Sequence, residues 1–267
     1  MQYTFGLIGC GNMGGAVARA VSQVTGSGIL ANRTLQRAQE LAQALSFSCG
    51  SNEEAAQSSR FLFLGVKPHL MAGVLQKLRP VFSARETAPV LVSMAAGLTI
   101  SQLEEMAGKT CPVIRIMPNT PVAVGQGVIL YDCGSGVQPE DEQAFLGLLA
   151  QSGRLVRLAE PLIDAGTAIS GCGPAFAYLL MDAMADGGVA CGLPRADSLQ
   201  LAAQTLLGSA QMVLETGKHP EQLKNEVCSP GGSTIQGVRT LEQRSVRAAM
   251  MDAVIAACEK SAALGKG

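Results

Sequence analysis

The sequence lacks an excess of charge of either sign. It has 20 lysines and arginines against 21 aspartates and glutamates in a chain of 267 residues. A protein that binds nucleic acid or an anionic membrane through surface charge needs a cationic patch, so the balance predicts neither partner. Charged residues also interrupt the apolar stretches, and we expect no 18-residue span able to cross a membrane. Residues 1–5 lack the basic and apolar segments of a signal peptide and are predicted to open the first strand.

Cysteine and histidine are not arranged in a pattern that binds metal. The eight cysteines are scattered along the chain without a C-x-x-C pair, and there are only two histidines. We therefore predict no metal site, zinc included, and no disulfide framework. Unpaired thiols are typical of a reducing compartment, so we expect the protein in the cytoplasm.

Two kinds of apolar pattern divide the chain near residue 160. Before that point, short apolar runs alternate with amphipathic stretches, which predicts a mostly parallel sheet with helices on both faces. The predicted strands include 5–8, 29–31, 61–64, 90–92, 113–116 and 128–130, and the predicted helices include 34–45, 68–79 and 99–107. After it, long stretches rich in Ala, Leu and Met predict helices at about 174–188, 195–216, 219–226, 234–242 and 245–263.

The helical half is too apolar to be covered by its own helices. Packing against a second copy of the chain would bury this surface, so we expect a homo-oligomer that forms through it. The predicted domains are residues 1–160, an α/β domain, and residues 161–267, an all-α helical domain for dimerisation and substrate binding.

A glycine motif marks the first junction between a strand and a helix. Residues 9–14 fit the pattern G-x-G-x-x-G, which binds the pyrophosphate of a dinucleotide. Gly9 permits the tight turn, Gly11 lets the backbone approach the phosphates, and Gly14 allows close packing of helix and strand. At the first junction of an α/β pattern, the motif predicts a Rossmann-type dinucleotide-binding domain rather than a plain tight turn. The predicted contacts here are Gly9, Cys10, Gly11, Asn12, Met13 and Gly14.

The end of the second strand indicates which dinucleotide binds. An NAD site commonly has Asp or Glu there, whereas this chain has Asn32 and Arg33, with Arg37 one turn further along. A carboxylate would repel a 2′-phosphate, and an arginine would bind it with about 1.5–3 kcal/mol for each charge-assisted hydrogen bond. We therefore predict NADP(H) as the cofactor. If Arg33 and Arg37 are solvated surface charges, NAD(H) is the alternative.

Two later strand ends are expected at the same crevice, because ligands of α/β folds bind at the carboxyl ends of strands. Gly65-Val66-Lys67-Pro68 follows one strand, and Met94-Ala95-Ala96-Gly97 follows another. Lys67 would contact ribose or phosphate oxygens. The small residues 95–97 would leave room for a nicotinamide ring, although they also suit a close-packed turn. Asn52 opens the next helix and is predicted to contact the adenosine end or, alternatively, to be only a helix cap.

A loop in the helical half has the composition of an anion-binding site. It reads Ser229-Pro230-Gly231-Gly232-Ser233-Thr234 and lies between two predicted helices. Its glycines allow a sharp turn that exposes N–H groups at a helix N-terminus, a suitable place for a carboxylate. The alternative is a helix–helix turn with a Ser/Thr cap. The predicted substrate contacts are Ser229, Gly231, Gly232, Ser233 and Thr234.

An absence in the helical half bears on the chemistry. No lysine lies between Lys109 and Lys218, although hydroxyacid dehydrogenases of this two-domain layout place an essential lysine there. Reduction of a C=O bond needs a proton donor at oxygen as the hydride arrives. A C=N bond carried in as an iminium is already protonated, so a hydroxyl such as that of Thr234 suffices to orient it. The sequence therefore favours imine reduction over alcohol dehydrogenation.

These segments together resemble the pyrroline-5-carboxylate reductases over essentially the full length of the chain. The last of the shared segments is the family's specific signature. Cys172 and Ser233 depart from the Ser and the Thr or Ala that the family often has, and both changes are small. The shared segments are residues 9–14, Val66-Lys67-Pro68-His69, Met117-Pro118-Asn119-Thr120-Pro121, Ser170-Gly171-Cys172-Gly173-Pro174-Ala175 and Ser229–Ile235.

The resemblance implies a reaction and an assembly. It implies hydride transfer from NAD(P)H to C5 of L-1-pyrroline-5-carboxylate, which gives L-proline in the last step of proline biosynthesis. It implies that the 229–234 loop holds the substrate carboxylate and that Thr234, the predicted catalytic residue, makes a hydrogen bond to the ring nitrogen. It also implies a dimer through the helical domains, often assembled into a larger ring such as a homodecamer.

Two other functions stay open on the residues alone. One is a hydroxyacid dehydrogenase, which would need the acid–base lysine that the helical half lacks. The other is a non-catalytic NADP(H) sensor, which would keep residues 9–14 and 31–37 but would have no use for the 229–234 loop.

Overall fold

The apolar runs of the first half form one eight-stranded sheet in the computed structural model, which describes residues 2–264. The strand order is β3-β2-β1-β4-β5-β6-β7-β8. Strands β1 to β6 pair in parallel, β7 is antiparallel to β6, and β8 is parallel to β7. The strands are β1 Tyr3–Ile8, β2 Gly28–Ala31, β3 Ser48–Cys49, β4 Ser59–Leu64, β5 Val90–Ser93, β6 Val113–Pro118, β7 Gly127–Cys133 and β8 Gly153–Arg157.

Every predicted helix is present, and the helices Pro139–Leu148 and Ile163–Ser170 were not predicted. Two short 3₁₀ helices, Thr120–Val124 and Glu160–Leu162, add to them. In the first half the helices are α1 Asn12–Ser22, α2 Leu35–Leu45, α3 Asn52–Ser58, α4 Pro68–Ser83, α5 Ile100–Met106 and α6 Pro139–Leu148. They continue with α7 Ile163–Ser170, α8 Gly173–Ala190, α9 Arg195–Thr216, α10 Pro220–Val227, α11 Ser233–Gln243 and α12 Val246–Leu264.

Both faces of the sheet are buried, as a parallel sheet requires. Successive side chains of a strand point to opposite faces. Phe63 packs in one cluster with residues of α1 and α2, while its neighbour Leu62 packs in another with residues of α3, α4 and α5. In the first cluster, the ring centroids of Phe5 and Phe63 lie 4.9 Å apart. The predicted α/β Rossmann-type domain with a mostly parallel sheet is therefore confirmed.

The antiparallel direction of β7 follows from the length of the connection before it. Only residues 119–126 separate β6 from β7. A parallel connection needs a crossover of about a dozen residues or more, so the chain reverses direction instead. The short 3₁₀ helix Thr120–Val124 makes this reversal and ends at Gly125, which has a left-handed backbone.

The second half, as far as residue 264, consists of helices and their connections without a strand, as predicted. By its contacts the chain divides between Cys172 and Gly173, so α7 belongs with the sheet. The domain limits 1–160 and 161–267 stay a prediction about functional domains. Within the unit 173–256, α8 packs against α9, yet many large apolar side chains remain exposed in the single chain, among them Tyr178, Leu179, Leu201, Leu214 and Met251.

The expectation that no span could cross a membrane by composition is wrong. The helical segment Glu160–Ala190 contains an 18-residue window with a mean hydropathy of 1.2, and only 11% of that window is buried within the chain. The reason is local, since residues 165–181 contain no Asp, Glu, Lys or Arg. The segment is divided between α7 and α8 at Gly171 and Cys172. An apolar surface that a second subunit covers has the same composition as one that lipid covers.

Candidate active site

The turn after β1 can be built only with glycine at two positions. Gly9 has a φ of +104°, and a Cβ atom there would lie 2.6 Å from the Gly65 carbonyl oxygen. A Cβ atom on Gly14 would overlap the Gly9 carbonyl oxygen. The chain therefore passes from β1 into α1 in the tight form that the motif predicts.

The N-terminus of α1 is open. Gly11 occupies the N-cap position and offers no side chain to cap the helix, and the first turn of α1 has no acidic residue. A Cβ atom on Gly11 would meet no atom of the described residues within 4 Å, so the structure leaves space for a ligand beside this backbone. Uncapped N–H groups and the positive end of the helix dipole suit a pyrophosphate.

Asn32 fixes the glycine turn to the end of β2. Its Oδ1 accepts a hydrogen bond from the Cys10 N–H at 3.0 Å, and its Nδ2 donates to the Thr34 carbonyl oxygen at 2.9 Å. The side chain therefore spans the two loops that flank the predicted ribose site. Burial, with a smaller effect of Cys49, raises the pKa of the Cys10 thiol to about 11, so this cysteine stays protonated at neutral pH.

Arg33 and Arg37 follow β2 and are exposed. Neither guanidinium forms an ion pair with a carboxylate among the described residues. Both side chains are thus available to an anionic ligand at this end of the sheet. The segment 31–37 contains no acidic residue, although Glu53 of α3 lines the same cavity.

Two adjoining cavities lie at the carboxyl ends of β1, β2, β4 and β5. The first has a volume of about 550 Å³ and includes Asn32, Arg33, Asn52 and Leu70 in its lining. The second has a volume of about 690 Å³ and includes Asn12, Met13, Gly14, Pro68, Met94 and Ala96. The residues that line both are Gly11, Arg37, Gly65, Val66 and Lys67. The structure thus brings the glycine turn and the predicted strand ends to one crevice.

Some of the predicted cofactor contacts do not lie where the sequence predicts them. Ala95 is buried, and neither Ala95 nor Gly97 lines these cavities. Asn52 lines the first cavity but is not a helix cap, because Ser51 caps α3 and forms a capping box with Glu54. Cys10 lines a third cavity of about 430 Å³ beside Gly11 and Arg19.

One face of α4 and the short 3₁₀ helix after β6 also line the crevice and were not predicted from the sequence. Leu70, Val74 and Lys77 line the first cavity, and Thr120 and Ala123 line the second. The α4 residues could have been found from helical spacing, since they lie on the face that continues from Lys67. The residues 120–123 could not, because their approach to the crevice depends on the reversal of β7.

The 229–234 loop forms the N-terminus of α11. Gly231 has a φ of +70°, and the Gly232 N–H donates to the Ser229 carbonyl oxygen at 3.1 Å. Gly232 is the N-cap residue, offers no side-chain cap, and precedes a first turn without acidic residues. Ser233 and Thr234 are exposed. The Ser/Thr cap, which was the alternative to an anion-binding loop, is therefore absent from this described helix start, and free N–H groups and hydroxyls lie together there.

Asn119, the residue after β6, links the start of β7 with the end of α7. It is buried, its Oδ1 accepts from the Val128 N–H at 2.8 Å, and its Nδ2 donates to the Ser170 carbonyl oxygen at 2.9 Å. The Met117–Pro121 segment and Ser170, the last residue of α7, therefore meet through this amide.

Family models match both halves of the chain. A model described as pyrroline-5-carboxylate reductase dimerisation matches residues 160–264. A model described as NADP oxidoreductase, coenzyme F420-dependent, matches residues 4–97. The first covers the helical half and the second covers the glycine turn and the strand ends at the crevice.

Curated relatives align with almost the whole chain. The pyrroline-5-carboxylate reductase of Glycine max is 43% identical over 97% of this chain and 95% of its own length. That of Escherichia coli (strain K12) is 38% identical over 100% of both chains.

Solved structures share the same fold. The pyrroline carboxylate reductase of Plasmodium falciparum, a structure with NADP bound, is 34% identical with a TM-score of 0.87 and covers 99% of each chain. The pyrroline-5-carboxylate reductase of Coxiella burnetii is 28% identical with a TM-score of 0.90 and covers 99% of each chain.

Proposed function

The chain belongs to the pyrroline-5-carboxylate reductase family, and on this premise we propose that it reduces L-1-pyrroline-5-carboxylate to L-proline with NADPH. The reaction adds a hydride to C5 and converts the C=N bond of the ring into a secondary amine. It is the last step of proline biosynthesis. Membership over the full length of the chain is the observation that carries the proposal, because it includes both the crevice and the 229–234 loop.

The crevice fits NADP(H). The free space beside Gly11 and the uncapped N-terminus of α1 suit the pyrophosphate, and Asn52, Leu70 and Val74 form the wall of the first cavity toward the adenosine end. When bound, the cofactor supplies the hydride. The second cavity, with the small residue Ala96 and Met94 in its lining, leaves room for the nicotinamide ring.

Arg33 and Arg37 favour NADPH over NADH. Both are exposed beside the end of β2, and Arg37 lines both cavities. A guanidinium binds a phosphate group by paired hydrogen bonds, and NADH offers only a hydroxyl at that position. Asn32 has a structural role instead, because its side-chain amide is already hydrogen-bonded to the backbone of Cys10 and Thr34.

The loop at the start of α11 holds the substrate. Its backbone N–H groups at Gly231, Ser233 and Thr234, with the hydroxyls of Ser229 and Ser233, bind the carboxylate at a helix N-terminus without a competing acid. Thr234 orients the ring by a hydrogen bond between its hydroxyl and the ring nitrogen. The nitrogen enters protonated, so no side chain has to deliver a proton as the hydride arrives at C5.

Isotope transfer tests the reaction. NADPH that carries deuterium at both C4 positions of its nicotinamide ring is incubated with the protein and pyrroline-5-carboxylate, and the product is analysed by mass spectrometry and NMR. Deuterium at C5 of L-proline is the expected result. Deuterium that stays in the cofactor, or appears elsewhere in the product, contradicts the proposal.

The assembly is a homo-oligomer formed through the helical half, at least a dimer, with a homodecameric ring as the larger form. The exposed apolar side chains of α8 and α9 support this, because water contact with so much apolar surface is unfavourable. Light scattering on the purified protein should give a multiple of the mass of one chain, and a monomeric mass contradicts it. All eight cysteines are free, as suits the cytoplasm, which cell fractionation would test.

A further inference from the structure

A buried arginine ties the start of α7 to the sheet. Arg115 lies on β6 and is only 3% exposed. Its guanidinium contacts the Glu160 carboxylate at 3.3 Å and the Asp164 carboxylate at 3.1 Å. Asp164 belongs to α7, and Glu160 opens the 3₁₀ helix before it. One cation in the sheet therefore fixes two carboxylates of the segment that follows β8.

The Glu160 carboxylate makes a second contact, with the turn that follows β5. The same oxygen that contacts Arg115, Oε1, accepts a hydrogen bond from the Ile100 N–H at 2.7 Å. Ile100 is the first residue of α5, and residues 94–99 before it form the turn between β5 and α5. Met94 and Ala96 of this turn line the second cavity. Arg115 is thus connected to the cofactor crevice through a single carboxylate oxygen.

At its far end the turn is held by the capping box of Thr99 and Gln102 and by the Ile100 contact with Glu160, and of these two the contact with Glu160 is the one that joins the turn to another segment of the fold. At its near end, the Met94 N–H donates to the Leu64 carbonyl oxygen at 3.4 Å, and the Ala95 N–H donates to the Ser93 hydroxyl at 3.3 Å. Both hydrogen bonds are long, whereas the Ile100 bond to Glu160 is short and accepted by a charged group. Gly97 inside the turn has a φ of +77°, which gives the backbone freedom to shift when an anchor is lost.

We infer that Arg115 is a positioning residue for the cofactor. It holds the Glu160 carboxylate on the Ile100 N–H and thereby sets the 94–99 turn at the nicotinamide end of the crevice. The Glu160 side chain is 25% exposed, so without the guanidinium it can turn toward water and release Ile100. This inference rests on the proposed binding of NADPH in the crevice. It predicts a loss of NADPH affinity, with little change in the hydride-transfer step once the cofactor is saturating.

Fluorescence titration with NADPH and steady-state kinetics test the inference on the full chain. Arg115→Met and Glu160→Ala should each raise the Kd for NADPH about fivefold to twentyfold and change kcat by less than about threefold. Glu160→Gln keeps an acceptor for the Ile100 N–H and should stay within about threefold of the unaltered protein. The double variant Arg115→Met/Glu160→Ala should bind no more weakly than Glu160→Ala alone, because both act through one hydrogen bond.

Asp141→Asn is the matched control. It breaks the ion pair of Asp141 with Arg60, which at 2.9 Å ties α6 to β4, and neither residue lines the crevice. It should leave the Kd for NADPH unchanged. If Arg115→Met lowers Tm but leaves that Kd within about twofold, Arg115 is only structural and the inference is wrong.

If Arg115→Met does not fold, a comparison of the two Glu160 variants tests the inference. Equal Kd values for Glu160→Ala and Glu160→Gln would overturn the inference, and a higher value for Glu160→Ala supports it. Failure of the unaltered protein to bind NADPH would instead contradict the proposed function, so the two failures are distinguished by which protein shows them.

Discussion

At the residue scale, the Thr234 hydroxyl carries the proposed orientation of the imine. Thr234 is exposed at the start of α11, one residue after the helix begins. Thr234→Ala removes a hydrogen bond to a charged group, so we expect kcat to fall about tenfold to hundredfold. Thr234→Ser keeps the hydroxyl and should restore most of the activity. Steady-state rates with pyrroline-5-carboxylate measure both.

Thr240 provides the control on the same helix. Its hydroxyl donates to the Gln236 carbonyl oxygen at 3.0 Å and lies more than one turn away from the loop. Thr240→Ala should leave kcat unchanged. If Thr234→Ala also leaves proline formation unchanged, the catalytic role of Thr234 is wrong, although the loop could still bind the carboxylate through its backbone.

Arg33 is expected to discriminate between the two nicotinamide cofactors. Removal of one charge-assisted hydrogen bond to the 2′-phosphate in Arg33→Met should raise the Kd for NADPH about tenfold to hundredfold. The Kd for NADH should not change. Arg154→Met is a suitable control, because Arg154 is exposed on β8, at the opposite edge of the sheet from β2 and β3. Equal loss of both cofactors in Arg33→Met would speak against phosphate recognition.

At the element scale, α8 and α9 pack so closely that one position needs glycine. A Cβ atom on Gly188 would lie 2.7 Å from the Ser198 hydroxyl oxygen, which is buried without a hydrogen-bond partner among residues 2–264. Gly188→Ala should therefore lower the free energy of unfolding by about 1–3 kcal/mol despite the better helix propensity of alanine. Ser198→Ala removes an unsatisfied hydroxyl and should be neutral or stabilising.

The double variant separates crowding from propensity. In the Ser198→Ala background the nearest remaining neighbour of the new Cβ atom is the Cβ atom of residue 198 at 3.2 Å, so Gly188→Ala should cost less there. Urea denaturation at one fixed protein concentration gives the four free energies of unfolding. An equal cost of Gly188→Ala in both backgrounds would disprove the contact.

Acid should weaken the link between α10 and α12. Hydrogen bonds from Lys224 and Arg247 lower the pKa of the exposed Glu221 carboxyl from 4.5 to about 2. Because the folded state has the lower pKa, the stabilisation is present above pH 4.5 and is lost as the pH falls toward 2. Glu221→Gln should lower Tm slightly at neutral pH and by clearly less near pH 2, where the carboxyl of the folded protein is about half protonated. High salt should reduce the difference, and a difference in Tm that is independent of pH would contradict this assignment.

Most elements could be predicted from the sequence, and the missed ones have physical reasons. The buried strands β1, β4 and β5 contain continuous apolar runs between turn residues, which is a strong signal. The helix α6 has Glu140, Asp141 and Glu142 in its first turn and buries little more than Phe145 and Leu148, so its apolar face is too narrow to stand out. The strand β8 is short and partly exposed, and it pairs only at the edge of the sheet.

The residues of the candidate site were likewise only partly predictable from the sequence. The glycine turn, Arg33 and Lys67 were predictable because the motif and the strand ends fix their place in the fold. Residues such as Thr120 reach the crevice only through the reversal between β6 and β7, which no local pattern shows. The connection from Arg115 through Glu160 to Ile100 joins three distant segments, so it becomes visible only in the folded chain.

At the scale of the whole molecule, the two halves of the chain differ in how much apolar surface they leave exposed. The sheet is covered on both faces by its own helices, whereas the unit 173–256 leaves large apolar side chains exposed in the single chain. The match of residues 160–264 to a dimerisation domain accounts for this difference. The predicted family, the α/β fold with a helical second half, and NADP(H) as the cofactor are confirmed, while the roles of single residues remain proposals.

The most direct test is the oxidation of NADPH and of NADH by the purified protein with pyrroline-5-carboxylate, followed by the loss of nicotinamide absorbance. We predict rapid, substrate-dependent oxidation with a higher kcat/KM for NADPH than for NADH. A preference for NADH would keep the reductase activity and remove the role of Arg33. Absence of oxidation with either cofactor, in a folded protein that still binds NADPH, would contradict the proposed reaction.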